Sequence, residues 1–391
     1  MRKMATVCRV KNIWRLEGKD RIVGCAFYEN GYEAVVGIDT KPGDLVCFIQ
    51  EGSVLPDEER WNHLSRSWSK KANGYLIKPM KFAGVKSWGL AVPLDELGIK
   101  AKAGKDLTKK LGIRKWGDDG FEDEEKGGLK ALFARLFPKK GDEDQTFPSW
   151  IISKSDETTV QNMNGVLDKY AGCSVYITAK MEGASGTVVP VMKGRKMVGA
   201  YPCSRNLAFK KDNNNDLWKV MRRLNIAEGL RKIYSETGKA YAIQFEQCGP
   251  GIQSDIYCLP EIHWYLFAAK DVRTGKQVGY DELLDISERL GVRIVPLLWR
   301  GILRDAMVDV DKAVEFAERA RWEPRKAEGG IWSWIAMDKD SLQHEGVVVR
   351  TEDYDKDKGI GCSFKVKNLA YQEMGLGKMH EKCRKLLDAQ A

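Results

Sequence analysis

From Phe147 onward, strand-like runs alternate with helical stretches of unequal length, and this irregular rhythm restricts the architecture. Residues 176–179, 240–246 and 292–298 read as strands, the second alternating like a half-buried one. Leu217, Val220, Met221, Leu224 and Leu230 recur near helical spacing over 216–234, and 281–290 reads as another helix. Asp309 is placed to cap a further helix with Ala313, Val314 and Ala317 on one side. Late strands at 346–350 and 363–366 complete the set. A doubly wound parallel sheet needs regular alternation, so the pattern predicts an α+β domain of antiparallel sheets with flanking helices over 147–391.

The preceding chain has another texture. Val7, Val10 and Ile13 stand among basic residues, and runs at 21–27 and 34–38 flank Asn30-Gly31, a strong hairpin signal. Lys41-Pro42-Gly43-Asp44 makes a second turn before a run at 45–49. A third group, 75–94, carries Lys78, Lys81 and Lys86 with Phe82 and Trp88. Short strands so closely spaced predict a small OB-like β-barrel over 1–97. Two readings of the third group stay open: a nucleic-acid-binding face, or core aromatics beneath solvated lysines. Residues 98–146 become charged and glycine-containing, which reads as a linker around a short amphipathic helix at 129–137.

Composition narrows the partners. The net charge of +9 is compatible with a polyanion. Nine scattered cysteines form no CxxC pair, which fits a reducing, cytoplasmic setting better than a disulfide framework. The four histidines stand in no zinc pattern. No apolar run reaches about 18 residues, and no apolar stretch follows Met1-Arg2-Lys3-Met4, so neither a membrane span nor a secretory signal is expected.

The chemistry-bearing stretch is Lys180-Met181-Glu182-Gly183, directly after the 176–179 strand. A lysine amine attacks phosphorus only when deprotonated, and nearby cations lower its pKa. Alone, the tetrapeptide reads first as an exposed strand-end lysine, since so short a pattern recurs often by chance. Four further stretches add to it. Ser204-Arg205-Asn206 follows the lysine strand, and Phe245-Glu246-Gln247-Cys248 runs into Gly249-Pro250-Gly251-Ile252-Gln253. Glu345-Gly346 opens a strand, and Lys365-x-Lys367 places two lysines on one side of another.

In this order the elements resemble the covalent nucleotidyltransferases, the ATP-dependent ligases and capping guanylyltransferases, over roughly 149–368. The closer resemblance is to RNA ligases with an OB-type module in front of an ATP-grasp-like nucleotidyltransferase domain. Gly249-Pro250-Gly251-Ile252-Gln253, Ile152-Ser153-Lys154-Ser155-Asp156-Glu157 with Gln161-Asn162, Gly43-Asp44-Leu45-Val46 and Ser53-Val54-Leu55-Pro56 carry it.

The resemblance implies roles. Lys180 would attack the ATP α-phosphorus and form lysyl-AMP, with Glu182, Gly183 and Arg205 around the nucleotide. Arg205 would bind a phosphate of the RNA or the nucleotide. Glu246 would contact the ribose or hold metal-bound water, and Phe267, or failing it Tyr265, would pack on the adenine. Glu345, aided by Glu182 and Glu246, would hold Mg2+ or Mn2+ through hard oxygen ligands. Lys365 and Lys367 would neutralise the α-phosphate. The implied partner is RNA with 3′-OH and 5′-phosphate ends, as a nicked duplex, sealed by a monomer.

Two departures stand out. The family's acid after the lysine is usually aspartate, whereas this chain has the longer Glu182. An arginine usually precedes the glutamine at 161, whereas Thr158-Thr159-Val160 stand there. DNA ligases and capping enzymes carry their OB domain after the Lys-x-Lys strand, and the sequence after Asn368 is too short for one. A non-catalytic RNA-binding protein is the remaining alternative.

Overall fold

The computed structural model describes residues 3–82, 85–116, 146–336 and 342–390, without the side chains of 81, 82 and 85. The chain divides into two compact units, one running to Lys139 and including Gln161–Asn164, the other holding the remainder.

The first unit is a nearly closed, barrel-like OB domain. Its five-stranded antiparallel sheet runs in the order Gly89–Pro93, Leu45–Gln50, Ala5–Arg15, Ile22–Phe27, Glu33–Gly37. The two outer strands meet where Trp88 N donates to the Glu33 carbonyl at 3.0 Å, which brings the sheet round on itself. The Asn30-Gly31 hairpin exists, but its connection spans 28–32 and neither residue has positive φ, so no two-residue turn forms. The Asn30 side chain instead accepts from Tyr32 N. The 41–44 turn is closed by Lys41 N donating to Asp44 Oδ2 at 2.8 Å, with Gly43 at φ +97°.

Residues 98–116 are not linker. Ile99, Leu107, Leu111 and Ile113 are buried in the barrel core with Val7, Ile49 and Leu55, and Arg114–Lys115 pairs with Ser53–Leu55. The lysines and glycines of this stretch hid its apolar positions, which follow turns rather than a helix or strand period. The helix expected at 129–137 and the acidic runs around it lie outside the described residues.

The second unit contains two larger sheets, antiparallel but for two short parallel pairs. One orders Thr158–Thr159, Ser363–Lys367, Gly346–Thr351, Ser174–Lys180, Leu297–Ile302. The other orders Lys196–Ser204, Ala184–Lys193, Tyr241–Cys248, His263–Asp271, Lys276–Gln277, with Arg293–Ile294 parallel to His263–Asp271. A three-stranded sheet, Gly330–Ile335, Ala320–Arg325, Leu342–Gln343, stands beside them.

The helical span expected at 216–234 is two helices, Asp216–Arg223 and Ile226–Thr237, because Asn225 adopts φ +52° between them. Helix Tyr280–Leu290 and helix Val310–Glu318 form as read, the latter capped by Asp309 Oδ1 accepting from Lys312 N at 2.8 Å. The strand expected at 292–298 is broken at Pro296, which separates Arg293–Ile294 from Leu297–Ile302. All nine cysteines are free, and among the described residues no helix is long and apolar enough to cross a membrane.

Candidate active site

Strand register builds the site. Lys180 lies opposite Gly346, and Gly346 lies opposite Lys367 on the next strand. Directly paired residues share a sheet face, so Lys180 and Lys367 flank a position bearing only hydrogen. With strands ~4.8 Å apart, the two lysines start about 10 Å from each other. The next row holds Thr178, Val348 and Lys365, and the third Tyr176, Arg350 and Ser363.

Two glycines permit the close approaches. A Cβ on Gly346 would stand 2.1 Å from the Val366 carbonyl oxygen. A Cβ on Gly183 would stand 2.4 Å from the Gln247 carbonyl oxygen and 2.9 Å from Glu246 Cγ. Gly183 thus lets the loop after Lys180 lie against the strand that carries Glu246.

The Lys180 ammonium donates a short hydrogen bond to Glu345 Oε2, both side chains being about three-quarters buried (25% and 22% exposed). Burial disfavours its charge, but Glu345, Glu246 and Glu182 together hold its pKa above the ordinary lysine value. Burial pushes the Glu246 carboxyl up to about 8, the Lys180 charge opposing and Glu345 and Glu182 adding to the rise. In this arrangement Lys180 is an ammonium and not yet a nucleophile.

Glu182 is held at three points. Its N–H donates to Tyr257 Oη at 2.9 Å, its carbonyl accepts from Cys248 Sγ at 3.3 Å, and its Oε2 accepts from Tyr371 Oη at 2.9 Å. Tyr371 is set by Asn368, which directly follows Lys367. Asn368 Oδ1 accepts from Tyr371 N, Asn368 Nδ2 donates to the His344 carbonyl, and Asn368 N donates to the Glu345 carbonyl. The Lys-x-Lys strand, the Glu345-Gly346 corner and Glu182 are therefore stitched together by one asparagine and one tyrosine.

A pocket opens beyond the third row, lined by Lys154, Glu157, Gln244, Ala268, Arg350 and Lys356 among others. Arg350 is 3% exposed and fully engaged: Nε to Ser363 Oγ at 3.1 Å, one terminal nitrogen to the Phe267 carbonyl at 2.6 Å, the other to Glu157 Oε1 at 2.8 Å. Phe267 does not line this pocket; its half-buried ring lies 5.9 Å from the Arg350 guanidinium. Tyr265 is core, 3% exposed, with its hydroxyl accepting from Arg293.

An RNA ligase family model matches residues 174–367, which contain every element of this site from the lysine strand to Lys367. Residues 174–367 are an RNA ligase family domain. An OB-fold domain model matches residues 4–94. Among solved structures, the chain is similar to a mutant of Naegleria gruberi RNA ligase with ATP and Mn, at 23% identity and TM-score 0.71, covering 96% of this chain and 98% of that one. A second mutant of the same protein with AMP and Mn matches at 23% identity and TM-score 0.71, covering 96% and 99%. The Naegleria gruberi RNA ligase with PPi matches at 23% identity and TM-score 0.71, covering 95% and 98%. At that identity the likeness concerns the fold. No curated protein matches the chain.

In the ligase domain, Arg205 is exposed and forks onto both carboxylate oxygens of Asp156 at 2.8 Å. Among the described residues, no three His, Cys, Asp or Glu side chains converge to hold a metal directly. Glu182, Glu246 and Glu345 surround Lys180 without closing into a cage, so direct ligation by all three is not what the geometry offers. Hard carboxylates spaced this way suit a hydrated dication reached through its waters. In the OB domain, Trp88 is core at 3% exposed, Lys78 is exposed, Lys86 is half-buried, and the Lys81 side chain lies outside the described residues. Sequence reading missed Tyr257, Tyr371, Gln244 and Arg350. Asn368 as the cap of a helix directly after the Lys-x-Lys strand is the signal that could have led to Tyr371.

Proposed function

We propose that the protein is an ATP-dependent RNA ligase that joins 3′-OH and 5′-phosphate ends at nicks in duplex RNA or RNA-containing duplex. The observation that carries the proposal is the row Lys180, Gly346, Lys367: an amine and a cation on one face, with a side-chain-free position between them for a phosphate. The solved structures of the same fold with ATP, AMP or PPi support this reading.

In the first step the Lys180 amine attacks the ATP α-phosphorus. A nitrogen–phosphorus bond forms, the bond to pyrophosphate breaks, and lysyl-AMP results. Glu345 accepts the Nζ hydrogen bond, so it stands where the departing proton goes. Lys365 and Lys367 face the charge that builds on the α-phosphate. The pocket beyond receives the base, against Gln244, Ala268 and Arg350, with the Phe267 carbonyl accepting from Arg350 and so fixing its guanidinium. Glu182, Glu246 and Glu345 would hold Mg2+ or Mn2+ through water; such an ion would offset phosphate charge and lower the Lys180 pKa. Arg205 exchanges Asp156 for a phosphate. A 5′-phosphate oxygen then attacks the adenylate phosphorus and breaks its bond to Lys180, and the 3′-hydroxyl attacks the 5′-phosphate phosphorus and releases AMP.

The test is intact-mass measurement of protein incubated with ATP and Mg2+ or Mn2+, followed by sealing of matched nicks. A mass gain of one adenylate that Lys180→Ala abolishes, and a preference for ribose at the 3′-hydroxyl side, are expected. Absence of the adduct rejects the ligase mechanism, and equal sealing of all-DNA nicks rejects the RNA preference.

A further inference from the structure

Trp150 is 75% exposed, the most exposed large apolar side chain among those described. Tryptophan is highly buried on average, so an indole left this far in water stands out. It does not sit on a loose end. Phe147 N donates to the Asn206 carbonyl at 3.1 Å, and Lys154 Nζ donates to Asn206 Oδ1 at 2.8 Å. Lys154 also lies over the Phe147 ring at 5.8 Å, and Ile151 and Ile152 pack into a core with Phe147 and Tyr201. The turn is therefore fixed at both ends, with the indole on its outer side.

The segment it is pinned to carries positive charge. Arg205, Lys210 and Lys211 are exposed there, with Leu207 45% exposed among them. The acids present are already matched, Asp156 by Arg205 and Asp212 by Arg222. Two to five residues after Trp150, Ile152 to Ser155 line the pocket described above. An aromatic face, a basic strip and the reaction pocket are thus continuous along two short stretches of chain.

We infer that Trp150, with the basic loop 205–211, is a platform on which the RNA substrate lays a nucleobase while its backbone runs over the lysines. The inference rests on the ligase reading for its partner and deepens it by naming where RNA is held. Aromatic stacking suits RNA because every base has a π-face, and exposed lysines track the phosphates without reading sequence. A protein partner fits less well, since an isolated indole beside a basic loop offers no contiguous apolar area.

Three proteins test this against wild type: Trp150→Ala, Trp150→Phe and the double variant Lys210→Ala/Lys211→Ala. Each is first given ATP and Mg2+ without RNA, and lysyl-AMP is measured by mass. Formation at the wild-type rate is expected for all three, because Trp150, Lys210 and Lys211 lie outside the site. Affinity for fluorescent nicked duplex RNA is then measured by anisotropy. Trp150→Ala weakens it about tenfold or more, and Trp150→Phe restores most of the loss. The lysine variant binds all sequences more weakly and flattens the salt dependence by roughly 0.7–0.9 per lysine in log–log slope. Sealing shows the same change in KM for RNA with kcat preserved. Equal RNA affinity of wild type and Trp150→Ala overturns the platform, whether or not lysyl-AMP forms. Failure of the wild type to form lysyl-AMP overturns the ligase mechanism instead, and leaves the anisotropy comparison to decide the platform.

Discussion

Tyr371 donates its phenolic hydrogen to Glu182 Oε2 at 2.9 Å from the first turn of helix Leu369–Met374, immediately after the Lys-x-Lys strand. The tyrosine is 4% exposed, and burial beside Glu182 raises its pKa, so it remains a donor across the working pH range. The extra methylene of Glu182 reaches a partner that a shorter aspartate would miss.

Tyr371→Phe should therefore raise the divalent-ion concentration needed for half-maximal lysyl-AMP formation while leaving KM for ATP nearly unchanged. In the inactive Lys180→Ala background the same change should weaken Mn2+ binding with ATP present, read by electron paramagnetic resonance. The effect should vanish when Glu182 is already aspartate, because the bond is then absent. Equal effects in both backgrounds would mean that Tyr371 acts on stability alone.

Gly346→Ala and Gly183→Ala both drive a Cβ into backbone carbonyl oxygen, at 2.1 and 2.4 Å. Neither neighbour is a flexible side-chain tip, so a strand has to shift. Each should lose about 1–3 kcal/mol by urea unfolding and all detectable adenylylation. Gly199→Ala, with nothing within 4 Å of its Cβ, is the control and should change neither.

Glu246 gives a pH signature. Its carboxyl is pushed up to about 8 from 4.5, so between those values the folded protein keeps a proton that the unfolded chain releases. Stability then falls as pH rises through that window and levels off above it. Glu246→Gln removes the titration, so its melting temperature relative to wild type should climb from pH 4.5 to 8. Calorimetry in metal-free buffer checks this, and a constant offset would show that burial of the charge is not the cause.

Arg350 and Glu157 form an ion pair whose side chains are 4% and 13% exposed. Arg350→Met strands the carboxylate and should cost about 3–5 kcal/mol. Glu157→Gln keeps an oxygen toward the guanidinium and should cost less than half of that. Both should raise KM for ATP, since the pair borders the pocket. Urea titration and initial rates of lysyl-AMP formation separate the two effects.

Local sequence carried the second unit well where one face was buried. Helix Val310–Glu318 was legible from its Asp309 cap and strand Ser363–Lys367 from alternation, whereas Tyr241–Cys248, read as half-buried, is buried at every position but Glu246. It failed where a single backbone position decided the outcome, as at Asn225 and Pro296, which split elements that periodicity had joined. Residues 98–116 were misjudged because turn-borne core positions have no period to detect. The Lys180, Glu345 and Lys367 set was visible as motif order. Its register across three strands was not, since pairing partners lie more than 160 residues apart in one case. Resemblance assigns Phe267 to the base; the structure shows its carbonyl accepting from Arg350, which lines the pocket that Phe267 itself does not line.

Neighbouring strands hold Lys180, Gly346 and Lys367 in line, and Asn368 ties the last of them to the Glu345 carbonyl. Peptide ladders, not rotamers, set that spacing. On the ligase reading, the adenylate phosphorus bonded to the first lysine keeps one address above a bare hydrogen while pyrophosphate leaves and a 5′-phosphate oxygen arrives; the hydroxyl then attacks the phosphorus of that 5′ end. Successive transfers need a travelling substrate, not a travelling catalyst.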